Sequence, residues 1–459
     1  MFSYTRMLKR SLLPVLLFVC VAMLSVSTFA QDTDAYAGVE IDAQNVLKMQ
    51  TYVEPSLESL RLRKLASAKE IAPDLREFNP ARAVSLTRLE GEIANNNGIL
   101  TDEVRYMAGL QRIDYVFVYP ETGDVVLVGP AEGWYKDASG RVVGLTTGKP
   151  VLRLDDMVAA MRTYAPGSKE AKVIGCSIDP TKEGLARFQQ FQQKIGTTAT
   201  PNMTEMIVNG SKEALGMQKV SVTGVNSETH FARVLVEADY RMKLMGIGLE
   251  KIPCRGMKSF VDSVNPGTVA RNALFRWFFV PDYECVRMSA DKLAMGLEGK
   301  SVKLVGADEM VTSDGSRKEV VVSDSASRRF TQGFTKNYEK IADSAPVYAE
   351  LRNLVDMAVV AAFLQETDAY GKLGWELVYF GDESKFRIQT ERAPEFVESA
   401  VNAVWRGNTL TTPIGGGVEI FAKRALNADN LLSANDAVVA EEQKEMEANL
   451  PENGWWWNE

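Results

Sequence analysis

Apolar and polar positions recur with two periods along this chain, and the changes between them mark out its elements. The clearest is the stretch "RIDYVFVYPETGDVVLVGP" (112–130), two β-branched and aromatic runs around Glu121-Thr122-Gly123-Asp124. That pattern predicts a hairpin whose glycine supplies the positive φ of the turn. Both faces of the hairpin are apolar, so a buried, central position is expected.

Upstream, "GVEIDAQNVLKM" (38–49) reads as two short strands about a turn. Helical patterns follow at 56–70, at 85–98 with Ser85 as N-cap and Gly98 as stop, and at 101–110. Residues 150–167 suggest a strand and then a helix capped by Asp155. "KVIGCSID" (172–179) and "KVSVTGV" (219–225) are strand-like, with a helix from Thr181 between them. Residues 229–246 fit both periods. As a helix they place Phe231, Val234, Leu235, Ala238, Met242 and Met245 on one stripe; as a strand they would exceed the usual length of about 3–10 residues. Helix is therefore the expectation.

From Arg276 to Val311 short β-runs alternate with turn residues, as in an antiparallel meander. A polar linker (312–327) then precedes two helical patterns flanking Pro346, the second apolar on most sides. Strand-like runs at 375–380 and 385–389 come before the glycine-rich "IGGG" (414–417), expected to permit a tight chain reversal. The fold class expected is α+β: a buried hairpin with helices, an antiparallel meander and a helical C-terminal part, arranged as regions 31–165, 166–320 and 321–424. Residues 425–459 carry eight acidic side chains against Lys444 alone, so this tail is expected to be loosely ordered.

The first thirty residues change the picture. Arg6, Lys9 and Arg10 lead into the apolar run "SLLPVLLFVCVAMLSV", and small residues follow, the pattern of a secretory signal cleaved after Ala30. The run is too short for a membrane span, which takes about 20 residues, so no transmembrane helix is expected in the mature chain. Val19 before Cys20 argues against a lipoprotein signal. A periplasmic or secreted location follows. The chain has 52 basic and 60 acidic residues, and losing three basic ones leaves a net charge of −11, which disfavours nucleic acid as partner. Cys176, Cys254 and Cys285 remain: an odd number, with Cys254 and Cys285 able in principle to form one bridge.

Candidate chemistry is sparse. His230 is the sole histidine, has no second ligand three or four residues away, and starts an element, so it reads as a neutral structural side chain; neither metal site nor cofactor is expected. Ser289 and Lys292 match S-x-x-K without the helix start or the K-T-G that such serine enzymes need. "GLTTGKP" (144–150) has the wrong glycine spacing for a phosphate loop. Among carboxylate pairs (Asp155-Asp156, Glu237/Asp239, Asp282/Glu284), only Asp282 and Glu284 sit in an aromatic context, "RWFFVPDYE", suited to a glycosidase. Trp455, Trp456 and Trp457 close the chain as a candidate aromatic handle for a partner groove or the chain's own surface.

The segments "MAGLQRIDYVFVYPETGDVVLVGPAEGW" (107–134), "GKPVLRLDDM" (148–157), "IGCSIDPTKEGLARFQQF" (174–191), "THFARVLVEADYRMKLMGIGLE" (229–250) and "RWFFVPDYECVRMS" (276–289) resemble a family of exported planctomycete proteins known only as a domain of unknown function, over roughly residues 80–425. The resemblance implies export and carries over no catalytic residue. The expected function is a non-catalytic binding or envelope-associated structural protein, with an unknown protein or envelope component as partner. The alternative is a carboxylate-dependent hydrolase of an envelope or extracellular glycan at Asp282 and Glu284.

Overall fold

The computed structural model describes residues 35–53, 55–168, 172–196, 199–265, 273–311, 317–319, 324–406, 408–410 and 414–458. The expected secretory leader and much of the 312–327 linker lie outside them. Helices and mainly antiparallel sheets make up an α+β fold.

The larger sheet is laid down out of sequence order. Its strands run Ala35–Ile41, Val46–Val53, Phe396–Glu398, Met217–Thr223, Ile174–Asp179, Ile414–Ile420, Ala273–Pro281, Glu309–Val311 and Arg317–Glu319, and Val302–Gly306 also pairs with Ala273–Pro281. It draws on residues 35–53, 174–223, 273–319 and 396–420, and on neither the hairpin nor the tail. The "IGGG" run is a strand here, not the expected chain reversal. A Cβ at Gly416 would lie 1.9 Å from the Trp277 carbonyl oxygen, and one at Gly417 would lie 1.9 Å from that of Cys176. Three adjacent glycines thus let two neighbouring backbones close in on both sides, a use that reads the same as a turn in one dimension.

The smaller sheet runs Val286–Met288, Ala294–Leu297, Tyr115–Tyr119, Asp124–Ala131, Asn79–Ser85, Trp456–Asn458. The predicted hairpin is its centre, with Gly123 at φ 77° and Val116, Phe117, Val118, Val125, Val126 and Leu127 fully buried. The strands read as a meander are antiparallel but divided: Val286–Met288 and Ala294–Leu297 join the smaller sheet, their neighbours the larger.

Residues 230–246 are a helix, started by the Thr229 hydroxyl accepting from the Ala232 amide. The expected stripe is buried, and so are Glu237, Asp239, Arg241 and Lys243 on the other sides, because this helix runs through the core beside Pro346–Glu366, Leu154–Thr163 and the larger sheet. A charged side chain is tolerated there only with a partner.

Four local readings are corrected. Helix Leu154–Thr163 begins at Arg153 without a side-chain cap, and Asp155 lies inside it, accepting from the Gln389 amide. Residues 375–380 and 385–389 are not strands: the amides of Tyr379 and Phe380, donors that a ladder would use, go to the Glu90 carboxylate, which also accepts from the Trp375 indole N–H. The acidic tail is packed. Helix Ala437–Ala448 starts on the Asp436 carboxylate, and Val439 and Met446 bury against Phe117, Tyr119 and Ala294. Beyond it, Trp456–Asn458 adds a strand to Asn79–Ser85. The count of acidic residues concealed apolar surface sufficient to dock the segment. Cys176, Cys254 and Cys285 are all free, so the Cys254–Cys285 bridge does not form.

Candidate functional site

Asp282 and Glu284 lie in the turn after strand Ala273–Pro281. Asp282 is half-exposed with Lys303 at 3.5 Å, and Glu284 is exposed. Neither lines any of the described clefts. A glycosidase needs its two carboxyls to flank a sugar within a cleft, and this turn provides none. Ser289 sits in a turn between two strands, its hydroxyl donating to Asp291 and accepting from the Ala294 amide, with no helix start beside it.

Loop 144–150 does hold an anion, one supplied by the chain itself. The buried Glu132 carboxylate accepts from the amides of Thr146 and Thr147, both at 2.8 Å, and from the Thr147 hydroxyl and Gln111. Burial would raise its pKa, but these donors hold the carboxyl below its usual range.

His230 lies near one end of a chain of buried ionisable groups. Its Nδ1 is 2.8 Å from Asp156 Oδ2, and its Nε2 faces Glu350 Oε1 at 3.8 Å. Arg141 then bridges Glu350 (2.9 Å) to Glu237 (2.5 Å), and Arg241 joins Glu237 to Glu250. Burial would raise the Glu350 pKa, yet Arg141 and His230 hold it below the usual range. Asp155, beside this set, is pushed up by burial and by the like charge of Asp156. The imidazole thus lies between Asp156 of helix 154–163 and Glu350 of helix 346–366. It lines none of the described clefts, and among the described residues no hydroxyl or thiol is hydrogen-bonded to it. Among the described residues no group of three His, Cys, Asp or Glu side chains is placed to hold a metal ion.

Binding geometry lies elsewhere. Two contiguous clefts of about 550 and about 530 Å³ share Asp102, Tyr106 and Lys136. One runs between the exposed helix Leu57–Glu70 and the wall formed by Trp134 and Tyr135. The other ends on residues 387–390, behind which the Gln389 amide meets Asp155. Their charges are balanced: Arg63, Arg105, Lys136 and Arg387 face Glu70, Asp102, Glu103 and Asp137. Tyr106 packs edge-on against Trp134 at 5.7 Å between centroids, and burial raises the pKa of its phenol.

Tyr106 leads directly into Met107 (φ 48°), Ala108 (φ 54°) and Gly109 (φ 81°). Two consecutive non-glycine residues in the left-handed region cost of order 1–3 kcal/mol each, and such strain gathers at binding and catalytic sites. The strained turn is held by Arg82, wholly buried, whose Nη1 donates to the Ala108 carbonyl at 2.6 Å while its other donors reach the carbonyls of Asp74 and Leu75 and Asn458 Oδ1. Burial without a carboxylate partner pulls the Arg82 pKa down to about 10. Trp456 lies over Arg82, with its indole N–H on Glu103 at the cleft edge. Trp455 is buried, and Trp457 is half-buried with no partner for its N–H. The candidate handle therefore rests on the chain's own surface. Sequence reasoning missed Asp102, Tyr106, Lys136 and Gln389, which come from three separate stretches of the chain; residues 101–110, expected as one helix, break after Arg105 into the strained turn.

Residues 176–260, which include the helix 230–246, match the model of a family described as protein of unknown function (DUF1598). A DUF1598 domain thus occupies part of the core, a narrower span than the resemblance over 80–425 led one to expect. No curated protein and no solved structure matches the chain.

Proposed function

We propose that the chain is an exported, non-catalytic binding protein of the cell envelope, and that its ligand is an extended zwitterionic segment, such as a peptide, lying along the joined clefts at Tyr106. The observation that carries this reading is the continuity of two clefts with balanced charge and an aromatic wall across a strained turn. Such a lining favours a ligand bearing both signs of charge over a purely anionic or apolar one, since each unmatched charge brought into a cleft loses hydration without recompense. The apolar, basic-flanked start of the chain supports export. No helix among the described residues is long and apolar enough to cross a membrane.

The test selects binders from a random decapeptide display library against the chain beginning at Gln31. Enriched peptides carrying both charges should bind that protein and lose about tenfold or more in affinity to D102K/K136E. Binders indifferent to that double reversal, or none at all, would overturn the reading. A reporter enzyme fused after residue 40 and active only outside the cytoplasm tests the address separately.

A further inference from the structure

A separate cleft, of about 670 Å³, opens where the family-matched segment ends against helix Ser325–Lys336, and its charge is one-sided. Arg255 and Lys258 come from the end of that segment, and Arg329 and Lys336 from the helix; all four are exposed. Among the described residues none of the four has a carboxylate partner; Arg329 donates only to the Ser263 carbonyl, at 3.2 Å. In a chain with eight more acidic than basic residues, unpaired cations converging on a single concavity are unexpected, because carboxylates are abundant enough to pair them. The one acidic residue lining it, Asp262, is committed: its carboxylate accepts from the Ser259 amide and hydroxyl in a capping box. Lys336 is not needed at the helix end either, since Lys300 Nζ already donates to the carbonyls of Thr335 and Lys336. Met257 packs beside Gly333 and gives the cleft an apolar floor.

We propose that this cleft binds a multivalent oxyanion, with phosphate or sulfate groups carried on one polymer or oligomer, and that the two guanidinium forks and two ammonium groups each take one of its charges. Arginine forks match tetrahedral oxyanions in paired hydrogen bonds, and lysines add point charge. The site is separate from the Tyr106 clefts and does not depend on a ligand there.

Tripolyphosphate and a sulfated trisaccharide, titrated calorimetrically in low salt into the chain beginning at Gln31, are the probes. Either should bind saturably below about 1 mM, with affinity falling steeply as salt rises, and the arm that binds names the source. K258E/K336E should lose about tenfold or more of that affinity, while K182E/K212E on other helices should lose less than about twofold. Circular dichroism of both variants keeps a folding defect from passing for a lost site. Binding of neither probe, equal loss in both variants, or uptake of single orthophosphate ions with no gain for tripolyphosphate would overturn the proposal, the last as an adventitious ion only.

Discussion

Of two buried ion pairs, one packed against the start of helix 230–246 and one within it, the carboxylates titrate in opposite directions. Where the helix begins, Glu350 is 7% exposed and yet held below the usual glutamate range, because Arg141 at 2.9 Å and His230 outweigh its burial. Further along, Asp239 is 0% exposed with Lys243 at 2.7 Å, and burial pushes it up to about 6. A short contact to one cation is common to both, so it cannot make the difference. The Lys243 ammonium is shared with the carbonyls of Ile178 and Gly416, and Asp239 Oδ1 has no hydrogen-bond partner. Each carboxylate accepts one hydrogen bond, so the charge around it makes the difference: Arg141, His230 and Arg153 surround Glu350, whereas at Asp239 the pull of Lys243 is opposed by the like charge of Asp179.

The largest expected effect that sharpens this contrast is Arg141→Ala, which leaves Glu237 and Glu350 buried without their shared cation and should cost about 3–5 kcal/mol in urea unfolding at pH 7. A loss under about 1 kcal/mol would break the comparison, since Arg141 would then not be what holds those carboxylates ionised. Lys243→Met comes next, at about 2 kcal/mol at pH 7, because Asp239 can escape its isolation by taking up a proton. The same variant should lose little at pH 5, where that proton is already bound.

The pH series follows from the same two shifts. Asp239 has a folded pKa raised from 3.8, so its contribution is fully present below that value and is lost as pH rises through about 6. Glu350 has a folded pKa lowered from 4.5, so its contribution is present above that value and is lost as pH falls through the lowered one. Asp239→Asn should therefore flatten a decline in the urea midpoint between about pH 4 and 6, and Glu350→Gln should remove part of the loss on the acid side. The smallest pair lies in the tail. Trp456→Phe gives up the N–H bond to Glu103 and should cost about 1 kcal/mol, whereas Trp457→Phe removes a buried N–H without a partner and should be neutral or slightly stabilising.

Elements whose partners lie next to them in sequence were legible before folding was considered. The hairpin 115–131 carries its turn glycine and both its strands within one stretch, and Ser85 and Thr181 cap the helices that their positions announce. Residues 375–380 were not legible, because the donor count that decides their conformation is settled by Glu90, almost three hundred positions away. The tail failed for a related reason: its strand exists only because Asn79–Ser85 offers a free edge and Arg82 a buried donor for Asn458. The cleft at Tyr106 unites residues 63–70, 101–106, 134–137 and 387–390, and no local pattern links them.

Alone, the amino-acid order determined the α+β class, the buried hairpin and the want of any second histidine for a metal centre, since each depends on side-chain period or residue type; residues 230–246 fitted both periods, and their place in the core decided for helix. Tertiary structure decided which carboxylates ionise, where the three glycines at 415–417 lie and which surfaces become clefts. Those properties arise from through-space desolvation and close approach between distant segments, which a linear string does not encode locally.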